Sequence, residues 1–325
     1  TLSLHDALPI SIVIAAYNAA PFIGICINSC LSLMEAEAEI IVINDGSTDN
    51  TLTICNQMAS RHSNIFVFSQ DNQGVSAARN EGLLRAHNEW VLFMDADDWL
   101  NKRDMEFLIT NLKQLGEAID ICTFGYNTIL QDKIIEHREQ DRVCAPIEIL
   151  NSASFKLASW NYVFRRTLLI NNDINFPEGV ICTEDQNFNI KALCQARVVQ
   201  SFNLIVYNYN CTNIYSASHK KHSEAWIKSR LLSANNILSY CILHDVPLLN
   251  VYVQVKRLYE SYMNDFTTDI SVKERASFFI SEYNKTVSYL PEIKNIRKFR
   301  LCYYNMWLGL LLFKIHKIIV YIKNR

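Results

Sequence analysis

Trp90-Val91-Leu92-Phe93-Met94-Asp95-Ala96-Asp97-Asp98 sets five apolar residues directly ahead of three carboxylates. A short run that is apolar at every position reads as a strand covered on both faces, as in a parallel sheet. Its end delivers the acids to the sheet edge where ligands bind in open α/β folds. Carboxylates this close repel each other unless a cation or a proton intervenes. A hard divalent ion that also holds a phosphate suits such a place. The stretch points to an α/β enzyme that uses a nucleotide.

Upstream, the same pattern recurs. Strands are predicted over residues 11–16, 39–44, 65–69 and 90–94, and helices over 21–33, 50–60 and 74–86. Pro21 stands in a first helical turn, where it is tolerated. Asp45-Gly46-Ser47-Thr48-Asp49 is turn and N-cap chemistry. Strand and helix alternate, which predicts right-handed crossovers and parallel strands. Past Asp98 the spacing predicts a helix over 102–115 and a strand over 119–124. A hairpin or loop follows over 128–142, then aromatic-rich helical patterning over 147–166. Short strands are predicted at 198–199 and 204–209. From about residue 223 helical periodicity dominates, with helices over 225–243 and 248–266.

Composition sets bounds on partners. Half of the 325 residues are hydrophobic and a fifth are charged, which supports a large core. The net charge of -2 gives no overall pull toward nucleic acid, which is not expected as a partner. Ten cysteines, with no Cys-x-x-Cys pair and no secretory signal, read as reduced thiols of a cytoplasmic protein. Residues 1–10 lack an initiator Met and break the pattern. They are read as a non-native leader and set aside, with His5 and Asp6 among them.

The end of the chain differs in charge. Residues 293–325 hold eight Lys or Arg and no Asp or Glu. Within them, 306–322 is almost entirely apolar, broken by Lys314, His316 and Lys317. It is too short and too charged for a membrane span. An interfacial helix on an anionic membrane surface fits better, with Trp307 and Tyr321 at its ends. Lys294, Arg297, Lys298 and Arg300 add electrostatic attraction. The rival reading packs this helix back on the catalytic domain or in a dimer.

Four loops follow the four strands: Ala15-Ala16-Tyr17-Asn18, then Asn44-Asp45-Gly46-Ser47-Thr48-Asp49, then Asn72-Gln73-Gly74 with Ala78-Arg79-Asn80, then Asp95-Ala96-Asp97-Asp98. Singly, each is an ordinary turn or helix cap. Their order is the specific signal, because each ends a predicted strand and all four converge on one crevice.

In these loops the chain resembles glycosyltransferase family 2, the inverting nucleotide-sugar transferases of the GT-A fold. The resemblance covers about residues 11–210 and is densest in the first hundred. Ala15 departs from it, since the family often has Pro there. The resemblance implies a Rossmann-like, mostly parallel sheet in a catalytic domain over 11–222, with a helical extension over 223–325. It implies that Ala15, Tyr17 and Asp45 line the nucleoside pocket, that Arg79 sits beside the base and that Asp95 contacts the ribose. Asp97 would coordinate Mg²⁺ or Mn²⁺ bridging the diphosphate. Physically, Asp45 can accept a hydrogen bond from uracil N–H, and Arg79 can stack on a base or offer a fork of donors. A metal ion would neutralise charge on the leaving diphosphate.

A second acidic pair lies in Thr183-Glu184-Asp185-Gln186. By the same resemblance Asp185 is the acceptor-side base and Glu184 orients the helix or the acceptor. One base opposite the leaving group suffices for inversion. Read alone, the pair is a helix cap that favours acids. In some relatives a histidine completes the metal shell, which makes His219 a ligand candidate, with His222 as rival and a plain surface role for either. Trp160 and Asn161, ahead of Arg165-Arg166, match a family segment near the acceptor cleft. Trp160 is read as a sugar platform or as core.

The resulting expectation is an inverting transfer from a UDP-type sugar donor to a glycan or lipid-linked acceptor. A nucleotidyltransferase is the alternative enzyme, but it would want a Gly-rich, Lys-bearing phosphate loop after the first strand, and residues 15–22 have none. A non-catalytic module on the same fold is the other alternative. Loss of Asp97 or Asp185 would have suggested it, and both are present.

Overall fold

The computed structural model describes residues 9–31, 38–152, 155–213, 223–264, 272–296, 299–300 and 303. The elements run β1 (Ile10–Ala16), α1 (Ile23–Leu31), β2 (Ala38–Asp45), α2 (Thr51–Ala59), β3 (Ile65–Gln70), α3 (Val75–Arg85), β4 (Trp90–Asp95), β5 (Trp99–Leu100) and α4 (Lys102–Leu112). There follow β6 (Ile119–Ile129), β7 (Ile134–His137), β8 (Arg142–Cys144), α5 (Pro146–Asn151), β9 (Tyr162–Arg165), α6 (Arg166–Asn171), α7 (Glu184–Gln195), β10 (Val198–Asn210), α8 (Glu224–Leu243), α9 (Tyr252–Asn264) and α10 (Val272–Tyr289).

One sheet runs in the order β3-β2-β1-β4-β9-β6-β10-β5, with β7 paired to β6 and β8 to β10. The first four strands are parallel, as the alternation predicts. The chain builds outward from β1 to β3 and then crosses back to set β4 on the other side of β1. That reversal opens a crevice at the C-terminal strand ends. Register aligns Ala15 with Ile43 and with Asp95, so the first, second and fourth loops leave the sheet at one level.

Side-chain alternation divides the core into two layers. Val13, Ile41 and Phe93 belong to one layer, with α3 against β1 and β2, Phe188 of α7 against Phe93, and α8 and α9 in the same cluster. Ile12, Ile14, Val42 and Leu92 face α1 and α4. Buried residues of α8, α9 and α10 belong to the same hydrophobic cluster as residues of the sheet. Phe188 of α7 packs edge-on to Phe93 of β4, with centroids 5.3 Å apart, and flat on Phe176 at 4.0 Å. The nine described cysteines form no disulfide.

Several elements differ from the sequence reading. Ile10, inside the stretch set aside as a leader, is a fully buried residue of β1, and Pro9 O accepts from Trp90 N. Residues 147–166 are not one helix. A short α5 leads to a 3-10 turn at Ser159–Asn161 and then to β9, which inserts antiparallel between β4 and β6. Tertiary pairing there overrides a helical pattern. Residues 198–210 form one strand, whose pairing with β6 shifts register at three places, one of them between Phe202 and Ile205. Residues 128–142 do contain a hairpin, through β7 on β6. The apolar tail at 306–322, His219 and His222 lie outside the described residues. No helix among the described residues is long and apolar enough to cross a membrane.

Gly82 lets α3 lie against β1. A Cβ there would sit 2.2 Å from Val13 Cγ1. Alanine gains about 1 kcal/mol of helix propensity over glycine, whereas overpacking against a stiff β-branched residue costs about 1–3 kcal/mol. Gly82→Ala is therefore expected to lower the melting temperature. An unchanged or higher Tm by calorimetry would show that strand and helix separate without cost.

Candidate active site

The first two loops are stapled by backbone and short polar side chains. Asn18, with φ 48°, accepts from Thr48 N at 2.8 Å, and Asn18 N donates to Ser47 Oγ at 3.0 Å. Ala19 N donates to Thr51 Oγ1 and Ala20 N to Asp49 Oδ2. Ser47, Thr48 and Asp49 thus hold the loops together. Gly46 closes the turn at φ 70°, where a Cβ would meet Asn72 N at 2.7 Å.

These loops wall a cleft of about 280 Å³ lined by Ala15, Tyr17, Asp45, Gly74 and Ala78. Three of the residues expected at a nucleoside, Ala15, Tyr17 and Asp45, meet there. The Asp45 carboxylate is buried and accepts from Gln70 Nε2, Gln73 N and Gly74 N at 2.8–2.9 Å. A carboxylate has about four acceptor positions, so one remains for a ligand.

Arg79 lies elsewhere than the sequence reading puts it. Its guanidinium is not part of that lining. It is 4% exposed and reaches the carboxylates of β4 and α7. Nη2 donates to Asp95 Oδ1 at 2.8 Å, and Nη1 to Asp185 Oδ1 at 2.8 Å, with Glu184 Oε1 at 3.5 Å. Burial works to lower the guanidinium's pKa, but the charges of Asp185, Asp95 and Glu184 prevail and hold it above its ordinary value. The next residue, Asn80, exchanges two hydrogen bonds with the backbone of Phe176, whose ring lies 5.1 Å below the guanidinium.

The acids after β4 divide their work. Asp98 turns inward, accepting from Tyr207 Oη and Asn210 N, both at 2.7 Å. Tyr207 Oη also accepts from Asp95 N at 3.1 Å, so one tyrosine sets the loop. Burial, then the charge of Asp95, pushes the Asp98 carboxyl well above the usual range. Asp97 is raised by the same two causes, against a 2.8 Å hydrogen bond from Asn213 Nδ2 to its Oδ2. Among the described residues no group of three or more His, Cys, Asp or Glu is arranged to hold a metal ion. A lone carboxylate in a field of excess negative charge suits an ion whose other ligands are phosphate oxygens and water.

Asp185 stands in the first turn of α7, behind Thr183 at φ 69°. A β-branched residue with that φ is strained, and the strain persists only where packing imposes it. Asp185 also accepts from Ser159 Oγ at 3.0 Å and from the Ser159 backbone N–H. Burial raises its carboxyl above the usual range, though Arg79 opposes this. Burial and the Asp185 charge push Glu184 up to about 7, again against Arg79.

Asp95 and Asp185 both line a second cleft, of about 770 Å³, with Tyr126, His137, Lys156 and Trp160. Trp160 is 6% exposed and stacks on Tyr207 with centroids 4.4 Å apart, so it works largely as core. Tyr126 stacks on His137 at 4.4 Å. Asn161 also lines this cleft, while Arg165 sits at the far end of β4, opposite Trp90. Ser159, Tyr207, Asn213, Tyr126 and His137 are absent from the sequence reading. Tyr207 carries only a strand signal, Tyr126 lies just past a predicted strand, and Ser159 carries none.

The fold is of the GT-A type. A crystal structure of Staphylococcus aureus TarS superposes with a TM-score of 0.70 at 21% identity, covering 98% of this chain and 92% of that one. TarS has also been solved with UDP and with UDP-GlcNAc. A more distant neighbour, a mannosyltransferase from Pyrobaculum calidifontis in complex with GDP-Man and Mn²⁺, gives 0.51 at 15% identity, covering 95% of this chain and 86% of that one. The glycosyltransferase EpsJ of Bacillus subtilis is 29% identical over 222 residues, which are 65% of this chain and 64% of EpsJ. The chain thus spans a little under two thirds of that relative. Residues 11–175 match the family described as Glycosyl transferase family 2. The chain belongs to that family and is a glycosyltransferase.

A carboxyl raised on folding destabilises the native state once the pH exceeds its unfolded value, and the penalty is complete above the folded one. For Glu184 that window runs from the ordinary carboxylate range to about 7. Glu184→Gln should therefore stabilise the protein at pH 8, by roughly 1–3 kcal/mol, and by much less at pH 4.5. Denaturant titrations at both pH values check this. An equal gain at both would show that charge is not the cause.

Proposed function

We propose that this glycosyltransferase moves a sugar from a uridine diphosphate donor to a hydroxyl of a glycan or lipid-linked acceptor, with inversion. The observation that carries the reading is a pair of clefts at the strand ends, one lined by Ala15 of β1 and the other by Asp95 of β4, which pair across the sheet. The smaller is lined by Ala15, Tyr17 and Asp45, the larger by Asp95 and Asp185. A donor in the first directs its sugar toward the second, where an acceptor meets Asp185 from the opposite side. The UDP and UDP-GlcNAc complexes of TarS support uridine as the nucleoside.

In this reading Asp45 accepts from uracil N–H through its remaining acceptor position, Tyr17 lies against the nucleoside and Asp95 bonds the ribose. Asp97, with His219, would hold Mg²⁺ or Mn²⁺. When bound, the ion supplies charge neutralisation for the leaving diphosphate. Asp185 takes the acceptor proton as the new C–O bond forms and the bond to the diphosphate breaks. Its raised pKa makes it a stronger base than an ordinary aspartate. Glu184 orients the base or the acceptor. The aromatic wall at Tyr126 and Tyr209 suits the apolar face of a sugar ring. The basic, apolar tail at 294–322 would hold the enzyme at an anionic membrane surface, within reach of a lipid-linked acceptor.

A screen of nucleotide-sugar turnover with and without Mn²⁺ tests the reading, and calorimetry with UDP, GDP and dTDP tests the base. UDP should bind tightest. GDP binding as tightly would overturn the uridine assignment.

Asp97→Asn should lose about 10²-fold or more in transfer together with metal-dependent UDP binding, as for a lost electrostatic clamp. Asp185→Asn should keep UDP affinity and lose about 10²–10⁴-fold in turnover. Full activity of Asp97→Asn in chelator would remove the metal role. Collapse of UDP affinity in Asp185→Asn would remove the base role.

A further inference from the structure

Arg79 is the feature the proposed function leaves unused. Its side chain is 4% exposed, and its terminal nitrogens are divided between two parts of the site. Nη2 is on Asp95, at the end of β4. Nη1 is on Asp185, with Glu184 beyond, in the first turn of α7. The anchor beneath it is rigid, since Asn80 is bonded twice to Phe176 and the Phe176 ring underlies the guanidinium. The position expected beside a nucleobase is thus filled by a residue turned toward the acids.

We propose that Arg79 is a positioning residue that ties the acceptor-side base to the donor-side carboxylate, one planar fork holding Asp185 and Asp95 in a fixed relation. The inference rests on the transferase reading above. A guanidinium presents parallel donors in a rigid plane and stays charged when buried, which an ammonium on a flexible stem does not reproduce. Asp185 has two orienting partners, Arg79 and Ser159, and both side-chain bonds fall on Oδ1. The carboxylate is therefore aimed by groups on α3 and on the 3-10 turn before β9, not by α7 alone. Misplacing a catalytic group by about 1 Å can cost on the order of 10²-fold in rate. The charged groups facing Asp185 are Arg79, Glu184 and Asp95, and Arg79 alone among them favours its ionised form.

The test compares wild type, Arg79→Gln and Arg79→Lys in the full chain, with turnover of the donor found in the screen measured from pH 5 to 9 and UDP affinity measured by calorimetry. For Arg79→Gln the expected result is a loss in kcat on the order of 10²-fold. The acid limb of its pH profile should also move to higher pH, because the cation favouring the ionised base is gone. For Arg79→Lys, kcat should fall while the limb stays near wild type, since charge is kept and the fork is lost. UDP affinity should change far less than kcat in both. A limb that does not move in a folded Arg79→Gln, or wild-type kcat in Arg79→Lys, overturns the proposal. So does loss of UDP affinity with an unmoved limb, which would return Arg79 to the nucleobase. If Arg79→Gln does not fold, Arg79→Lys decides alone. Absence of turnover by the wild type with every nucleotide sugar would refute the transferase reading itself and this role with it, whereas failure confined to the Arg79 variants leaves that reading standing.

Discussion

Strands buried on both faces have no room for ionisable side chains along their length, so charge must gather where they end. β1 and β2 are buried or nearly so throughout, and β4 is buried up to Asp95. Their parallel register brings those ends to one level, with Ala15 beside Asp95 on one side and Ile43 on the other. The clefts, the acids and the loops that carry them all follow from this one arrangement of hydrogen bonds. A slip of one residue in β4 would turn Phe93 out of its core layer and carry the aspartates off the crevice.

Gathering acids at one edge creates an electrostatic problem, since each buried, unpaired ion carries a penalty of several kcal/mol. The chain answers it differently at each residue. Asp98 is satisfied by Tyr207 and Asn210 and becomes part of the scaffold. Asp95 and Asp185 share the charge of Arg79. The Asp97 carboxylate accepts from Asn213 and has no cationic partner among the described residues, and its carboxyl is raised, which leaves it the acid best suited to a ligand that brings positive charge. The carboxyls of Asp97, Asp98, Glu184 and Asp185 are all raised, by burial first and then by neighbouring carboxylates.

The two acidic segments, ninety residues apart in sequence, are joined through the core as well as through Arg79. Phe93 lies two residues before Asp95 and Phe188 three residues after Asp185, and the two rings pack edge to face over Phe176. On its other side α7 is backed by α8, where Asn187 Nδ2 donates to Ser233 O and Oγ. The C-terminal helices therefore help hold the helix that carries Asp185, and their buried residues join the same cluster as the sheet.

The sequence by itself determined the parallel half of the sheet, the crevice and most of the residues around it. It could do so because strands buried on both faces are uniformly apolar and because loop acids stand directly after them. The second acidic pair is legible only through the resemblance to the family, since read alone it is a helix cap. Only the tertiary structure decided what pairs with what. Ile10 proved to be sheet and β9 replaced a predicted helix, because pairing with β4 and β6 outweighs local periodicity. β10 proved continuous because a bulge interrupts the apolar pattern without ending the strand. Arg79 is put beside a nucleobase by the family resemblance. Its direction is set by long-range Coulomb attraction to Asp95 and Asp185, which lie 16 and 106 residues away along the chain. Ser159 and Tyr207 act through hydroxyl hydrogen bonds to the site, which leave no period or motif in a sequence and exist only once the sheet has brought the partners together.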